Sequence, residues 1–514
     1  MKLLDPACGS GHFLVIAFDL LAALYREEAK HTGRTITAAE IAESILENNV
    51  FGIDIDPRAI QLAAAGLYLK AKSLAKDARP KRLNLVAPTL QLASLPADDP
   101  ALDQLRRDLK DEVGIEEALT NRIVSALEGV DHLGSLLKVS GAIQEAIAAT
   151  DLEFAKKRGQ GDLWGGFASE KVKVSPERAR LTMLDAIERF LTQHSRSSDL
   201  GLRLDGEQLA AGVRFIRIAK EGTYDVVVGN PPYQGTSKMA NAGYVAKQYP
   251  RGKADLYAAF LERAVELARP GGMSAMLTMR GWMFLGQFTE LRKHLVHAHG
   301  LSALGDVDRG AFEDVPDEVL STVMSIFRRD ATGVRAATAM QPTPLDDRTR
   351  DGQRTNRKRA AVLAQVGRHE FDPRGFEVIE GEPVVYWWSN EFLARYAAAP
   401  KLGQIAPVRQ GMATADNTRF VRCPWEVAHD TILLERPGTA GRAQFALARW
   451  VPYIKGGEGR TWFEPLSEVV RWSPQSLEIV LQERGGQQTS RPQNTAYYFR
   501  DGVAFASTGA RFAA

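Results

Sequence analysis

Along the first hundred residues short apolar runs alternate with helical stretches, the pattern of a parallel sheet with crossover helices. Leu3-Leu4 reads as a strand entering Asp5-Pro6-Ala7-Cys8-Gly9-Ser10-Gly11, and Phe13 to Lys30 as a helix. Ala38 to Glu47 predicts a second helix and Val50-Phe51-Gly52-Ile53 a second strand. Behind Asp54-Ile55-Asp56, Pro57 is placed to start a helix that runs to about Ala75, and Leu83 to Val86 is a third strand.

From about residue 100 to 212 the period is helical and the charge dense, which predicts a helical insertion. The sheet resumes at Tyr224 to Val228, an apolar run typical of a buried parallel strand. Asp255 to Ala268 predicts an amphipathic helix stopped by Arg269-Pro270-Gly271-Gly272. Met273 to Thr278, Leu301 to Val307 and Thr322 to Phe327 are strands, with a helix from Phe284 to Ala298. Residues 1–330 therefore read as one α/β unit, a doubly wound Rossmann-like sheet with an insertion. Residues 331–400 carry Arg348, Arg350, Arg354, Arg357, Lys358 and Arg359 against Asp346, Asp347 and Asp351, and are expected to be a solvated linker or hinge. From residue 401 to 514, strand-like stretches with Trp425, Trp450, Trp462 and Trp472 predict a partial α+β domain.

Composition adds boundaries to this picture. With 45% hydrophobic and 25% charged residues, the 514-residue chain has material for several cores, which excludes a disordered or collagen-like protein. A net charge of +2 excludes a polycation, so a nucleic-acid partner has to be met by a local basic patch. Cys8 and Cys423 have no metal-ligand spacing, so no metal is expected, and the reading is of a cytoplasmic protein. No membrane partner is expected, since Asp19 interrupts the apolar run from Phe13 to Leu24, which is well short of the roughly 20 residues a bilayer requires. The abrupt start at Met1 and the strand-like Tyr497-Tyr498-Phe499 close to the end give the expectation of an excerpt from a longer protein.

Two loops carry the candidate chemistry. A strand, a glycine turn and a helix N-terminus make a cradle for an acidic or phosphate-bearing ligand. The dinucleotide fingerprint needs a third glycine, and here His12-Phe13-Leu14 follows Gly11. A cofactor with an adenosine and an amino-acid tail fits better: the turn accommodates the tail, Asp5 binds its amino group, and Asp54 accepts from the ribose hydroxyls. Asp56 competes for the ribose role, but Asp54 lies nearer its strand.

Gly229-Asn230-Pro231-Pro232-Tyr233 follows the strand that ends at Val228. A given tetrapeptide arises by chance in a chain of this length roughly three times in a thousand, so its false-positive risk is low. The prolines fix the backbone and lack N–H groups, so the loop offers the Asn230 side-chain oxygen and the Pro231 carbonyl as acceptors. Such a pair suits the NH2 of an adenine or an amide: two hydrogen bonds favour a pyramidal nitrogen and aim its lone pair at an electrophile. Tyr233 can stack on a planar substrate.

Asp5-Pro6-Ala7-Cys8-Gly9-Ser10-Gly11 and Asn230-Pro231-Pro232-Tyr233, in that order and with a variable domain after both, resemble the motifs of γ-type N6-adenine DNA methyltransferases. Within them the chain looks like the enzymes of BREX phage-exclusion systems and type IIG restriction-modification, on its insertion and on Gly411 to Arg422, which is similar to the start of their target-recognition domain. The resemblance implies an AdoMet-dependent methyltransferase fold, S-adenosylmethionine as cofactor, double-stranded DNA as partner, and other phage-defence proteins as associates. It implies cofactor contacts from Asp5, Pro6, Ala7, Cys8, Gly9, Gly11 and Asp54, catalysis at Asn230 to Tyr233, and base stacking by Tyr233 and by Phe312. It also makes the cluster from Arg348 to Arg359 a DNA-backbone contact. No acid after Leu85 fills the family's adenine-contacting role. Protein-glutamine and some RNA methyltransferases share the Asn-Pro-Pro-Tyr loop, and a non-catalytic DNA-binding subunit with a degenerate core is a third reading.

Overall fold

The computed structural model describes residues 1–88, 103, 106–107, 117, 121, 130–138, 214–215, 217–239, 241–312, 320–342, 353–434, 449–454, 466–472, 483–484, 487–488 and 493–503. It divides into two units, Met1–Ala398 and Ala399–Ala514. Most of the expected insertion, together with Arg348, Arg350 and Trp462, lies outside the described residues.

The first unit opens with β1 (Leu3–Asp5), α1 (His12–Thr32), α2 (Ala38–Ser44), β2 (Val50–Ile53), α3 (Pro57–Leu74) and β3 (Asn84–Val86). Local chemistry sets these boundaries. α1 starts at a left-handed Gly11, α2 at a Thr37–Glu40 capping box, and α3 at Asp56 with Pro57 in its first turn. Then come β4 (Tyr224–Gly229), α4 (Ala242–Gln248), α5 (Leu256–Leu267), β5 (Ala268–Met279), α6 (Thr289–His297), β6 (Gly300–Asp308) and β7 (Thr322–Arg328). The unit ends with β8 (Ala337–Met340), α7 (Arg354–Leu363), β9 (Arg368–Phe371) and α8 (Asn390–Ala398).

The strands form one sheet in the order β3-β2-β1-β4-β5-β7-β6-β8-β9. Strands β3 through β5 are parallel, and β7 runs antiparallel to both β5 and β6. The fold is thus a doubly wound α/β sheet. The chain moves outward from β1 to β3, then returns to lay β4 on the other side of β1, so a crevice opens beyond the carboxyl ends of β1 and β4. One apolar cluster holds Leu14, Phe18, Ile41 and Leu67 from the first three helices. A second joins Val227, Met276, Leu304 and Phe327 of the sheet to Phe260, Leu261 and Ala264 of α5 and to Trp282.

Four expectations are corrected. β5 follows α5 without a gap and runs through Pro270-Gly271-Gly272 rather than starting at Met273. α6 starts at Thr289 instead of Phe284, because two 3-10 turns, Arg280–Met283 and Gly286–Phe288, precede it. Residues 331–400 are not a solvated linker: β8 and β9 extend the sheet. In α7 the four-residue spacing puts Arg354 and Lys358 on one buried face. Lys358 Nζ donates to the carbonyls of Val307 (2.9 Å) and Arg309, and the Arg354 guanidinium lies against Gly310. Their assignment as DNA-backbone contacts is therefore corrected; Arg357 and Arg359 are exposed.

The second unit contains a three-stranded antiparallel sheet, β10 (Val421–Arg422), β12 (Val469–Arg471) and β11 (Trp450–Pro452), packed around Phe420, Val451 and Val470. Among the described residues, no helix is long and apolar enough to cross a membrane.

Candidate active site

The crevice holds a cavity of about 520 Å³, within the range of roughly 300–1,000 Å³ usual for cofactor sites. Pro6 and Ala7 from the end of β1, Asp54 and Ile55 from the end of β2, and Asn230 and Pro232 from the end of β4 all line it. The two loops singled out in the sequence, far apart along the chain, thus share one space.

The glycine turn is shaped by two left-handed residues, Gly9 (φ 52°) and Gly11 (φ 83°). A Cβ on Gly11 would stand 2.8 Å from Ala63 Cβ on α3, so packing as well as φ demands glycine there. A Cβ on Gly9 would project into open space. Asp54 fixes the turn: its Oδ2 accepts from the Gly9 N–H (2.8 Å) and its Oδ1 from the Asp56 N–H (2.9 Å). Asp56 instead caps α3, accepting from the Arg58 N–H and pairing with the guanidinium, and the Arg58 hydrogen bond holds its carboxyl below the usual range. Of the two competing acids, only Asp54 lines the cavity.

Asp5 is buried behind this wall and does not line it. Its Oδ1 accepts from the Ala7 N–H at 3.1 Å and lies where a side chain on Gly229 would collide. Burial, with the negative charge of Asp54 added, pushes its carboxyl up to about 7. The Cys8 thiol is likewise buried, and its pKa is raised by desolvation.

At the end of β4, Asn230 Oδ1 accepts a hydrogen bond from the Tyr233 hydroxyl (2.7 Å), which also lies 3.4 Å from the Leu277 carbonyl. The Tyr233 ring meets Tyr257 edge-on at 6.1 Å, and Tyr257 leans on Phe288 at 5.7 Å. Desolvation raises the pKa of both phenols, which keeps them neutral. Pro231 is buried, whereas Pro232 is exposed at the rim. The loop is tied down by Asp255, whose Oδ1 accepts from the N–H of Gln234 (3.0 Å) and of Tyr257 (3.3 Å), capping α5 at the same time. Phe312, half-buried beyond β6, does not line this cavity.

Sequence reasoning missed the wall formed by residues 132–136. Ser135 Oγ donates to the Pro6 carbonyl (2.6 Å), and Tyr249 Oη to the Leu136 carbonyl (2.6 Å). Arg263, with its side chain fully buried on α5, donates to the carbonyls of Ser135 (2.8 Å), Leu137 (3.3 Å) and Ala219 (3.1 Å) and pairs with Glu221 and Glu266. The available signal was an arginine on the otherwise apolar face of an amphipathic helix. Also missed was Asn241, whose Nδ2 is buried on the cavity without a hydrogen-bond partner among the described residues.

The sequence profile of the Eco57I restriction-modification methylase family matches residues 48–312, which carry β2, the 132–136 wall and the Asn230 loop. Over 98% of its length the chain is 27% identical to the adenine-specific methyltransferase PglX of Lacticaseibacillus casei (strain Zhang). It is 25% identical, again over 98%, to the adenine-specific methyltransferase BrxX of Escherichia coli O9:H4 (strain HS). The chain spans 38% of the length of each of these curated relatives. A solved structure of the M protein of the type I restriction enzyme EcoKI superposes with a TM-score of 0.36 at 12% identity, covering 77% of this chain and 65% of that one. With the family's profile covering more than half of the chain, including the Asp54 wall and the Asn230 loop, the chain belongs to the Eco57I restriction-modification methylases.

Proposed function

We propose that this chain is the catalytic part of a site-specific DNA methyltransferase that transfers a methyl group from S-adenosylmethionine to the N6 amine of an adenine rotated out of the duplex. The observation that carries the reading is the cavity lined together by Pro6 and Ala7 of the glycine turn, Asp54 and Asn230. The residues fit the cofactor. A polar turn with open space above Gly9, a carboxylate on the wall and an unpartnered buried amide N–H on Asn241 suit a ligand rich in hydroxyl and acceptor groups. Asp54 would hold the ribose hydroxyls and Pro6 to Gly11 the amino-acid tail, and Asp5, buried behind Ala7, would reach its ammonium only if that wall shifts.

When bound, the cofactor supplies a methyl on a positively charged sulfur. The chain's task is to present the amine. Asn230 Oδ1 and the Pro231 carbonyl accept its two N–H groups, which turns the nitrogen lone pair toward the cofactor side of the cavity. In this structure the Tyr233 hydroxyl takes one of the two lone pairs of Asn230 Oδ1; turning it away would free the ring to stack on the base. The N–C bond would form at the expense of the methyl–sulfur bond, whose electron pair returns to sulfur, and the nitrogen would shed one proton toward solvent, so no strongly basic side chain is required. Rotating the base out of the duplex costs a few kcal/mol. Phe312 as a second stacking ring, and residues 399–514 as part of the target-recognition domain, belong to the same proposal. So do a role in phage defence or restriction-modification and association with other defence proteins.

Transfer of radiolabelled methyl groups to DNA tests it. DNA labelling by the wild type and a drop of about 100-fold or more in Asn230→Ala are expected. Label appearing in RNA or in protein glutamine, but not in DNA, would move the reading to another substrate class.

A further inference from the structure

The carboxyl ends of β5 and β6 hold a cluster that neither the cofactor cavity nor the Asn230 loop uses. The Arg280 guanidinium is gripped by two carboxylates, Asp306 (2.8 Å) and Asp308 (3.3 Å). Asp306 also accepts from the Tyr386 hydroxyl (2.7 Å), and Asp308 from Ser321 Oγ. The guanidinium carbon lies 5.1 Å from the Phe284 ring centre and 6.0 Å from that of Trp387. Phe284 and Trp387 are 5.8 Å apart, and Tyr386 meets Trp387 edge-on at 4.9 Å. The strand-free segment carrying these aromatics is pinned by the Val384 N–H donating to the Met283 carbonyl (2.9 Å). Trp387 is nevertheless 40% exposed.

Position relates this cluster to the catalytic loop. β4, β5 and β6 run in the same direction, so their carboxyl ends face one side of the sheet. From Asn230 a chain of contacts passes through Tyr233 and Tyr257 to Gly281, next to Arg280: a Cβ on Gly281 would lie 3.4 Å from the Tyr257 hydroxyl. The cluster therefore lies on the β5 side of the catalytic loop, opposite the cofactor cavity on the β1–β2 side.

Charge selects the ligand. An arginine held by two carboxylates carries no net positive charge to offer a phosphate, so a backbone contact is disfavoured. What it offers is a fixed planar guanidinium among aromatic rings with one large ring open to solvent, which suits a flat, neutral partner. We propose that Trp387, seated on Arg280 and Phe284, is a stacking site for a nucleobase of the substrate DNA adjacent to the target adenine. The proposal rests on the DNA-methyltransferase reading above.

The test combines substitutions at Trp387 with duplexes that are abasic at successive positions around the mapped methylation site, measured as kcat/KM for methyl transfer. Trp387→Ala is expected to lose about 5- to 100-fold on the intact duplex, the range for one base–aromatic stack, with Trp387→Phe recovering most of it. The loss should vanish on the one duplex that lacks the stacked base. Wild-type activity in Trp387→Ala, or an equal loss on every abasic duplex, overturns the stacking site. A wild type that puts no methyl on any DNA overturns the methyltransferase reading itself and this site with it.

Discussion

The Tyr233 hydroxyl takes one of the two lone pairs of the oxygen proposed to hold the substrate amine, so Asn230 and Tyr233 hold each other in place. If the hydroxyl only competes, Tyr233→Phe keeps its ring and its kcat stays within about threefold of wild type, whereas Tyr233→Ala loses the stack and about 10- to 100-fold in kcat/KM. Steady-state kinetics on a methylatable duplex checks this, and a fall of Tyr233→Phe to the level of Asn230→Ala would assign the hydroxyl a direct role. Asp5 makes a pH prediction. Its pKa in the fold, about 7, stands above the ordinary 3.8, so the neutral carboxyl favours the folded state. That contribution is complete below the ordinary value and is lost as pH rises through about 7. Melting curves of the ligand-free protein should therefore drop across this window, and Asp5→Asn should flatten the drop. If Asp5 also meets the cofactor's ammonium, cofactor affinity rises with pH through the same range in the wild type and not in Asp5→Asn, measured by calorimetry.

Helix α5 shows how one element serves two walls of the site. Its cap, Asp255, holds the backbone just beyond Tyr233, and its middle, Arg263, holds the 132–136 wall. Asp255→Ala is expected to lower stability by about 1 kcal/mol and to reduce kcat more than cofactor affinity, while Asp255→Asn, which keeps an acceptor, retains most of both. Melting curves, kcat and cofactor titration separate these effects. In α7, Lys358→Met should lower the melting temperature by leaving buried carbonyls without their donor, whereas Arg357→Gln should not. These helices also show what the sequence could tell. The start of α3 was legible because Asp56 and Pro57 act locally. The late start of α6 was not, because Arg292 anchors the preceding turns, donating to the carbonyls of Trp282 (2.8 Å) and Leu285 (3.1 Å). The basic cluster misled for a related reason: charge count is visible in a sequence, but the carbonyls that draw Lys358 inward are not.

Across the whole chain, alternation of apolar runs foretold the parallel sheet, and the two loop motifs lie at strand ends that share one cavity. What stayed hidden was the meeting of segments far apart in sequence, as where Ser135 reaches Pro6, since no local period encodes it. The residues named in the cavity wall all fall in Met1–Ala398. That unit expressed alone is expected to bind S-adenosylmethionine with the affinity of the longer chain, and calorimetry showing a loss of more than about tenfold would mean the second unit takes part in cofactor binding. The sheet order has a further consequence, for synthesis on the ribosome. β1 is a central strand, yet one of its two neighbours, β4, is encoded 223 residues later by the spacing of the Lys2–Asp225 contact. At about 5–20 residues per second, that edge of the nascent sheet stays unpaired for roughly 10–45 s. During that interval the strand with the cofactor turn is an open template for other chains, so newly made protein should be the population most dependent on chaperones.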